Sequence, residues 1–188
     1  MNKGLITGGI VIGIIILVVI MFSSTYNGLV SKQEDVEGKL ANISVQLERR
    51  ADLIPNLVST VKGYTTHEKE VIDSITTSRE KLLGASGAEE MAEANQELSN
   101  AINNLLVIVE NYPDLKANTN FIQLQDELAG TENRISVARN DYNEAVKVYN
   151  KEIKLFPKNI LASMFGFEEK EYFEAKESSN EVPEVSFE

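Results

Sequence analysis

The feature that most constrains this chain is an uncharged stretch at residues 5–22, LITGGIVIGIIILVVIMF. As a helix it would be about 27 Å long, close to the thickness of a bilayer's hydrocarbon core. The stretch is longer than the apolar region of most signal peptides, and no A-x-A-like cleavage site follows it. The sequence therefore predicts an uncleaved transmembrane helix at 5–22 behind a short flank at 1–4. A cleaved signal peptide is the alternative.

Four glycines of this stretch have the spacing of helix-association motifs. Gly4 and Gly8 form one G-x-x-x-G pair, and Gly9 and Gly13 form another. That spacing lets two membrane helices approach closely in lipid. We therefore regard these glycines as candidate self-association positions, with the ordinary glycine usage of membrane helices as the alternative.

Charge limits the partners of the remaining chain. The 188 residues carry a formal net charge of -11, which argues against nucleic acid and against electrostatic attraction to anionic lipid. Residues 168–188 hold eight glutamates and two lysines, a composition typical of a disordered acidic tail. Lys3 lies before the anchor and Lys32 and Lys39 follow it, so the basic residues favour a cytoplasmic domain only slightly.

Apolar residues then recur at alternating spacings of three and four, which predicts helices at about 26–62, 65–83, 88–111 and 119–156. The predicted apolar seam of the third helix includes Ala94, and that of the fourth includes Tyr142, Ala145, Tyr149 and Phe156. Pro55 falls inside the first helix without breaking its register, so we expect a kink there. Thr65 with Glu68 has the spacing of a capping box, and Asn120 with Gln123 is a second candidate cap. Short links and long outer helices favour an all-α, antiparallel up-and-down four-helix bundle over residues 23–167.

Polar residues interrupt the apolar seams of the two long helices at matching heights. If these helices are antiparallel, Arg50 faces Thr131 or Glu132, and Gln33 faces Glu152. An unpaired charge in the bundle would cost several kcal/mol, so we expect Arg50 and Glu132 to form a semi-buried pair that sets helix register. Alternatively, both long side chains extend to water.

The segment at 156–167, FPKNILASMFGF, is apolar except for one lysine. An up-and-down bundle would return it to the membrane end. It either lies in the lipid interface or folds over the open end of the bundle core. The candidate membrane-surface contacts are Ile160, Leu161, Met164, Phe165 and Phe167.

No arrangement of residues indicates an enzyme. His67 is the only histidine, and the chain has no cysteine, so no second soft ligand completes a zinc set beside Glu68 and Glu70. Motifs such as G-x-S-x-G or a glycine-rich phosphate loop are absent from the sequence. We therefore expect no catalytic residue, no cofactor and no metal site.

Four strings resemble the LemA family of bacterial membrane proteins. They are RRADLIPNLVSTVKGYTTHE at 49–68, ENYPDLKANTNFIQLQDEL at 110–128, TENRISVARNDYNEAVKVYN at 131–150 and FPKNILASMFGF at 156–167. The resemblance covers most of residues 26–173 and leaves the tail after Phe173 outside. It implies a membrane helix followed by a four-helix bundle, with a short N-terminus outside and the bundle in the cytoplasm. It implies no established activity and no catalytic or cofactor residue.

Two functions fit these expectations. The first is a single-pass, coiled-coil-like scaffold that contacts membrane lipid and forms a homo-oligomer. The second is a monomeric adaptor that presents a bundle surface to a membrane protein partner, such as a protease or a signalling protein. Patterning alone usually suffices for folding a bundle, so the sharp string RRADLIPNL indicates either a register device or a surface. The candidate interaction surface comprises Arg49, Asp52, Pro55 and Asn56.

Overall fold

The computed structural model describes residues 3–65 and 68–174, with side chains from Gly8 onward. These residues form six helices and no strand, which confirms the all-α prediction. The helices are α1 (Lys3–Lys62), α2 (Lys69–Gly84), α3 (Ala88–Val109), α4 (Pro113–Lys116), α5 (Thr119–Lys154) and α6 (Lys158–Phe165). Two compact units divide the chain. Unit 1 comprises Met1–Asn42 and Asn140–Glu171, and unit 2 comprises Ile43–Arg139 and Tyr172–Glu188.

The N-terminal part of α1 has the properties predicted for the anchor. In the described part of the chain, α1 is the one helix long and apolar enough to cross a membrane. The large apolar side chains from Ile10 to Phe22 are all exposed, with between 38% and 65% of their surface accessible. These side chains have no protein core to enter, as expected of a helix surrounded by lipid.

Unit 1 has its own core beyond this stretch. Leu29 and Val36 of α1 are buried, and so are Tyr142, Tyr149 and Ile153 of α5. Leu161 and Ala162 are the buried residues of α6. The α5 seam therefore passes through Val146 and Ile153, rather than through Ala145 and Phe156 as the 3-4 pattern predicted, and Phe156 is 81% exposed.

Unit 2 contains the remaining helices with a larger core. Its fully buried large side chains are Ile43, Ile54, Leu57, Ile75, Leu98, Leu105, Leu115, Phe121, Ile135 and Phe173. α3 ends at Val109, and Pro113 begins the short helix α4, a position that suits proline because no helical partner is needed for its missing N–H.

Both predicted caps are wrong. α2 begins four residues after Thr65, its N-cap is Glu68, and no side chain caps it. The Thr65 hydroxyl instead donates to the carbonyl of Val61, 3.3 Å away. At the start of α5, Asn118 rather than Asn120 is the cap, since its Oδ1 accepts the backbone N–H of Phe121 at 3.0 Å.

The boundary predicted for the acidic tail, residue 168, is also wrong. Asn150 forms two hydrogen bonds with the backbone of Lys170, donating to its carbonyl at 2.8 Å and accepting from its N–H at 2.9 Å. The hydroxyl of Tyr142 donates to the carbonyl of Glu171 at 2.8 Å. In unit 2, Phe173 is 1% exposed and its ring lies 5.6 Å from the guanidinium carbon of Arg139. These contacts therefore hold the chain as far as Phe173. The rest of the predicted tail, 175–188, lies outside the described residues.

Candidate functional site

Pro55 leaves a gap in the hydrogen bonds of α1 that another helix fills. In a regular helix the N–H of residue 55 would bond to the carbonyl of Ala51, but proline has no N–H. α1 nevertheless continues through Pro55 to Lys62. The Nε–H of Arg79, in α2, donates to the Ala51 carbonyl at 2.8 Å. Since Ala51 is fully buried, this bond satisfies an acceptor that water cannot reach.

Arg50 lies at the centre of a polar cluster that joins three helices. Its Nη1 is 2.6 Å from Glu132 Oε2, in α5, and donates to Asn95 Oδ1, in α3, at 2.6 Å. The arginine side chain is 5% exposed, so the alternative in which it extends to water is wrong, whereas Glu132 is 44% exposed. The structure thus brings the predicted pair together, and its role in register stays a prediction.

Burial and the charge of Glu132 shift the pKa of Arg50 in opposite directions. Loss of hydration lowers the pKa of its guanidinium, and the negative charge of Glu132 raises it. Arg50 Nε has no hydrogen-bond partner among the described residues. The side chains of Arg50 and Glu132 line a cleft of about 210 Å³ with Leu57, Ile102 and Leu128. The cluster is thus incompletely satisfied and lies beside an apolar cleft.

Sequence reasoning missed Asn95. The predicted seam of α3 used Ala94, but Asn95 is buried as well, with 5% of its surface exposed. Ala88, Ala92, Asn95, Leu98, Ile102, Leu105 and Val109 follow the 3-4 spacing and are all buried. The spacing of three that separates Asn95 from both Ala92 and Leu98 was the available signal.

The candidate interaction surface is exposed. Arg49, Asp52, Pro55 and Asn56 all lie on the solvent side of α1 in unit 2. The backbone carbonyl of Asn56 accepts a hydrogen bond from the Thr60 hydroxyl at 2.9 Å. The string RRADLIPNL therefore has two parts: Arg50, Ala51, Ile54 and Leu57 are buried, and the residues of this surface are not.

The apolar segment at 156–167 also has an exposed part and a buried part. Ile160, Met164 and Phe165 are between 54% and 59% exposed. Leu161, a predicted membrane-surface contact, is 4% exposed and faces the core of unit 1, so that assignment is wrong. Phe167 is half-buried. The ring of Tyr26, in α1, lies 5.0 Å from the ring of Phe165 and 5.8 Å from that of Phe167, with edge-to-face geometry in both cases.

Carboxylates of unit 1 pair locally. Glu152 accepts a hydrogen bond from Lys158, while Gln33 donates to Glu37 at 3.0 Å. That Gln33 faces Glu152 stays a prediction. The hydrogen bond from Lys158 is the main reason that the pKa of Glu152 lies below its ordinary value of 4.5. The bonds from Gln33 and then Lys170 likewise lower the pKa of Glu37.

The remaining candidate residues belong to the anchor and to one loop. At Gly8, Gly9 and Gly13 an added Cβ would meet nothing within 4 Å, so these positions are open on the isolated chain. The side-chain surroundings of Gly4, and all of His67, lie outside the described residues.

Known proteins resemble this chain over most of its length. Magnetosome protein MamQ 2 of Paramagnetospirillum magneticum is 29% identical, over 86% of this chain and 70% of its own. Magnetosome protein MamQ of Magnetospirillum gryphiswaldense is 26% identical, over 89% of this chain and 72% of its own length. Protein LemA of Metamycoplasma hominis is 26% identical, over 62% of this chain and 54% of its own.

Residues 39–187 match the LemA family. The match includes most of the acidic segment after Phe173, which the sequence strings had left outside. It also contains both the Pro55–Arg79 arrangement and the cluster around Arg50. The chain belongs to the LemA family.

Proposed function

We propose that this chain is a membrane-anchored helical scaffold without enzymatic activity, which self-associates at the bilayer. Its short N-terminus lies outside the cell and its helical domain lies in the cytoplasm. The observation that carries the proposal is that α1 has no break between the apolar anchor and the buried core positions Leu29 and Val36 of unit 1. A continuous helix transmits the orientation of the anchor to that core, which a flexible linker would not do.

The anchor also has a surface suited to self-association. Gly8, Gly9 and Gly13 are open on the isolated chain, and small residues at this spacing let helix backbones approach closely in lipid. Packing of two anchors would therefore fix the separation of the two copies at the membrane surface. This is how a scaffold differs from a simple tether.

Contacts within unit 2 support the antiparallel up-and-down arrangement of its helices. Arg50 pairs with Glu132, and farther along the chain the Tyr64 hydroxyl accepts a hydrogen bond from Asn118, just before α5. Tyr64, which follows Arg50 in the chain, thus pairs with Asn118, which precedes Glu132, as expected of antiparallel segments. Lys81 of α2 and Glu97 of α3 are 2.6 Å apart across the short turn between these helices.

The test is the mass of the full-length protein in mild detergent, measured by light scattering beside a chain that starts at Tyr26. The scaffold predicts a defined oligomer of the full-length chain that Gly9→Leu or Gly13→Leu dissociates. Gly28→Leu, in the same helix beyond the anchor and equally open, is the matched control. A monomer in every case would refute the proposal.

A monomeric adaptor is the second candidate. The exposed part of the family string, Arg49, Asp52, Pro55 and Asn56, favours it, since no ion pair with another described residue accounts for the charges of Arg49 and Asp52. This function predicts that the purified chain is a monomer and that a photocrosslinker at Arg49 captures a membrane protein. A crosslinker at Glu80, an exposed position on α2, provides the control.

A further inference from the structure

The region where the anchor meets α6 has a form that anchoring by α1 alone does not require. α6 follows α5 after a short turn and ends at Gly166, whose positive φ of 73° closes the helix with a left-handed residue. Leu161 and Ala162 attach one side of α6 to the core of unit 1. The other side, with Ile160 and Met164 one turn apart, is more than half exposed.

The depth of α6 follows from its contacts with α1. A cleft of about 370 Å³ is lined by Phe22, Ser23, Tyr26, Asn27 and Phe165. Phe22 is the last residue of the apolar run. Tyr26 lies one turn farther along the helix, about 6 Å beyond it, within the headgroup layer of a bilayer whose hydrocarbon ends near Phe22. Phe165, on the opposite wall of the cleft, is therefore at the same depth.

The chemistry of α6 suits this depth. Phe156 is 81% exposed just before the helix, and Ile160, Met164 and Phe165 are more than half exposed. Tyr26 contributes an aromatic ring with a polar end, as is common at membrane interfaces. The one charge of α6, Lys158, is neutralised by Glu152. Nothing in this surface requires anionic lipid.

We infer that the exposed face of α6 lies in the lipid interface as a second membrane contact beside the anchor, with Ile160, Met164 and Phe165 at the boundary between the headgroups and the acyl chains of zwitterionic lipid. The inference depends on membrane anchoring by α1, as in the proposed function. Two contacts at different points of unit 1 would prevent it from tilting about the anchor. A second copy of the chain is the competing occupant of this face.

The absence of cysteine makes a site-specific test direct. Single cysteines are introduced as Met164→Cys and Ile160→Cys, labelled with an environment-sensitive fluorophore, and the full-length chain is reconstituted in phosphatidylcholine vesicles. Phe22→Cys reports on the anchor. Ala41→Cys, an exposed position on α1 roughly 28 Å beyond Phe22 along the helix, reports on water. Iodide quenches from the aqueous side, and nitroxide-labelled phosphatidylcholine quenches from the lipid side.

The inference predicts that labels at Met164 and Ile160 are quenched several-fold less by iodide, and several-fold more by the nitroxide lipid, than the label at Ala41. If they match Ala41 while Phe22 stays in lipid, the α6 contact is wrong and anchoring stands. If neither quencher reaches them, a second copy covers α6 and the inference is again wrong. If Phe22 itself is quenched like Ala41, anchoring and the α6 contact both fail.

Discussion

Replacing Arg79 with alanine should destabilise unit 2 through the backbone of another helix. The substitution removes the donor that reaches the Ala51 carbonyl at 2.8 Å. A hydrogen bond from a charged group contributes about 1.5–3 kcal/mol, and a buried unsatisfied acceptor costs a similar amount, so we expect a loss of roughly 2 kcal/mol. With a urea slope near 2 kcal/mol per molar, the unfolding midpoint should fall by about 1 M.

The loss expected from Arg79→Ala depends on the proline at position 55. In a Pro55→Ala background, residue 55 has an N–H that can bond to Ala51 within α1. Arg79→Ala should then cost less than about 0.5 kcal/mol, the range of ordinary surface substitutions. The difference between the two backgrounds is a coupling energy of more than 1 kcal/mol, well above the additivity expected of independent sites.

Urea unfolding of the full-length chain in mild detergent, followed by circular dichroism, measures all four members of this cycle. Arg49→Ala serves as the matched control, since it removes an exposed arginine from the same region without touching the gap at Pro55. Equal losses from Arg79→Ala in both backgrounds would show that Arg79 acts by packing or charge and that the gap at Pro55 is irrelevant.

Three further predictions concern other parts of the two units. Glu132→Gln should cost about 1–2 kcal/mol, less than for a fully buried pair because Glu132 is 44% exposed, and Arg50→Met should cost about 1–3 kcal/mol because it leaves the buried Asn95 Oδ1 without its donor. Urea midpoints measure both, and unchanged midpoints in the two variants would contradict the reasoning. The pKa of Glu152 is lowered in the folded chain, so its stabilisation is complete above pH 4.5 and is lost as the pH falls through that lowered pKa. Glu152→Gln should therefore lose less stability on acidification than the unmodified chain, and an identical loss would refute this. Asn150→Ala removes two hydrogen bonds worth about 1–3 kcal/mol together, so trypsin should cleave after Lys170 faster, and an unchanged cleavage rate would show that other contacts hold the segment.

Sequence periodicity was a sufficient guide to the helices because apolar residues at 3-4 spacing leave few other ways to bury them. It predicted that α1 continues through Pro55, and it brought Arg50 and Glu132 to the same height on two helices far apart in sequence. It was less reliable where two neighbouring residues could both lie on the seam. There the pattern chose Ala145 over the buried Val146, because the geometry of packing, and not the spacing, decides between adjacent positions.

Helix ends were predicted poorly for a related reason. A side chain of the right type at the right spacing, such as Thr65, has several acceptors and donors within reach, and here its hydroxyl bonds back to Val61. The cap of α5 is Asn118, two residues before the predicted one. Local motifs compete on differences of about 1 kcal/mol, which tertiary contacts easily reverse.

The amino-acid sequence alone determined the long apolar N-terminal helix, the helical class and the alternation of buried and exposed residues, because these follow from hydrophobic patterning over many positions at once. Tertiary structure decided how individual polar groups are satisfied. Arg79 reaches the carbonyl freed by Pro55, Asn95 joins Arg50, and Asn150 holds the backbone of Lys170. Each of these bonds joins residues at least 20 positions apart. Hydrogen bonds are directional and short, so they depend on where the helices finally pack, which no periodic pattern in the chain specifies.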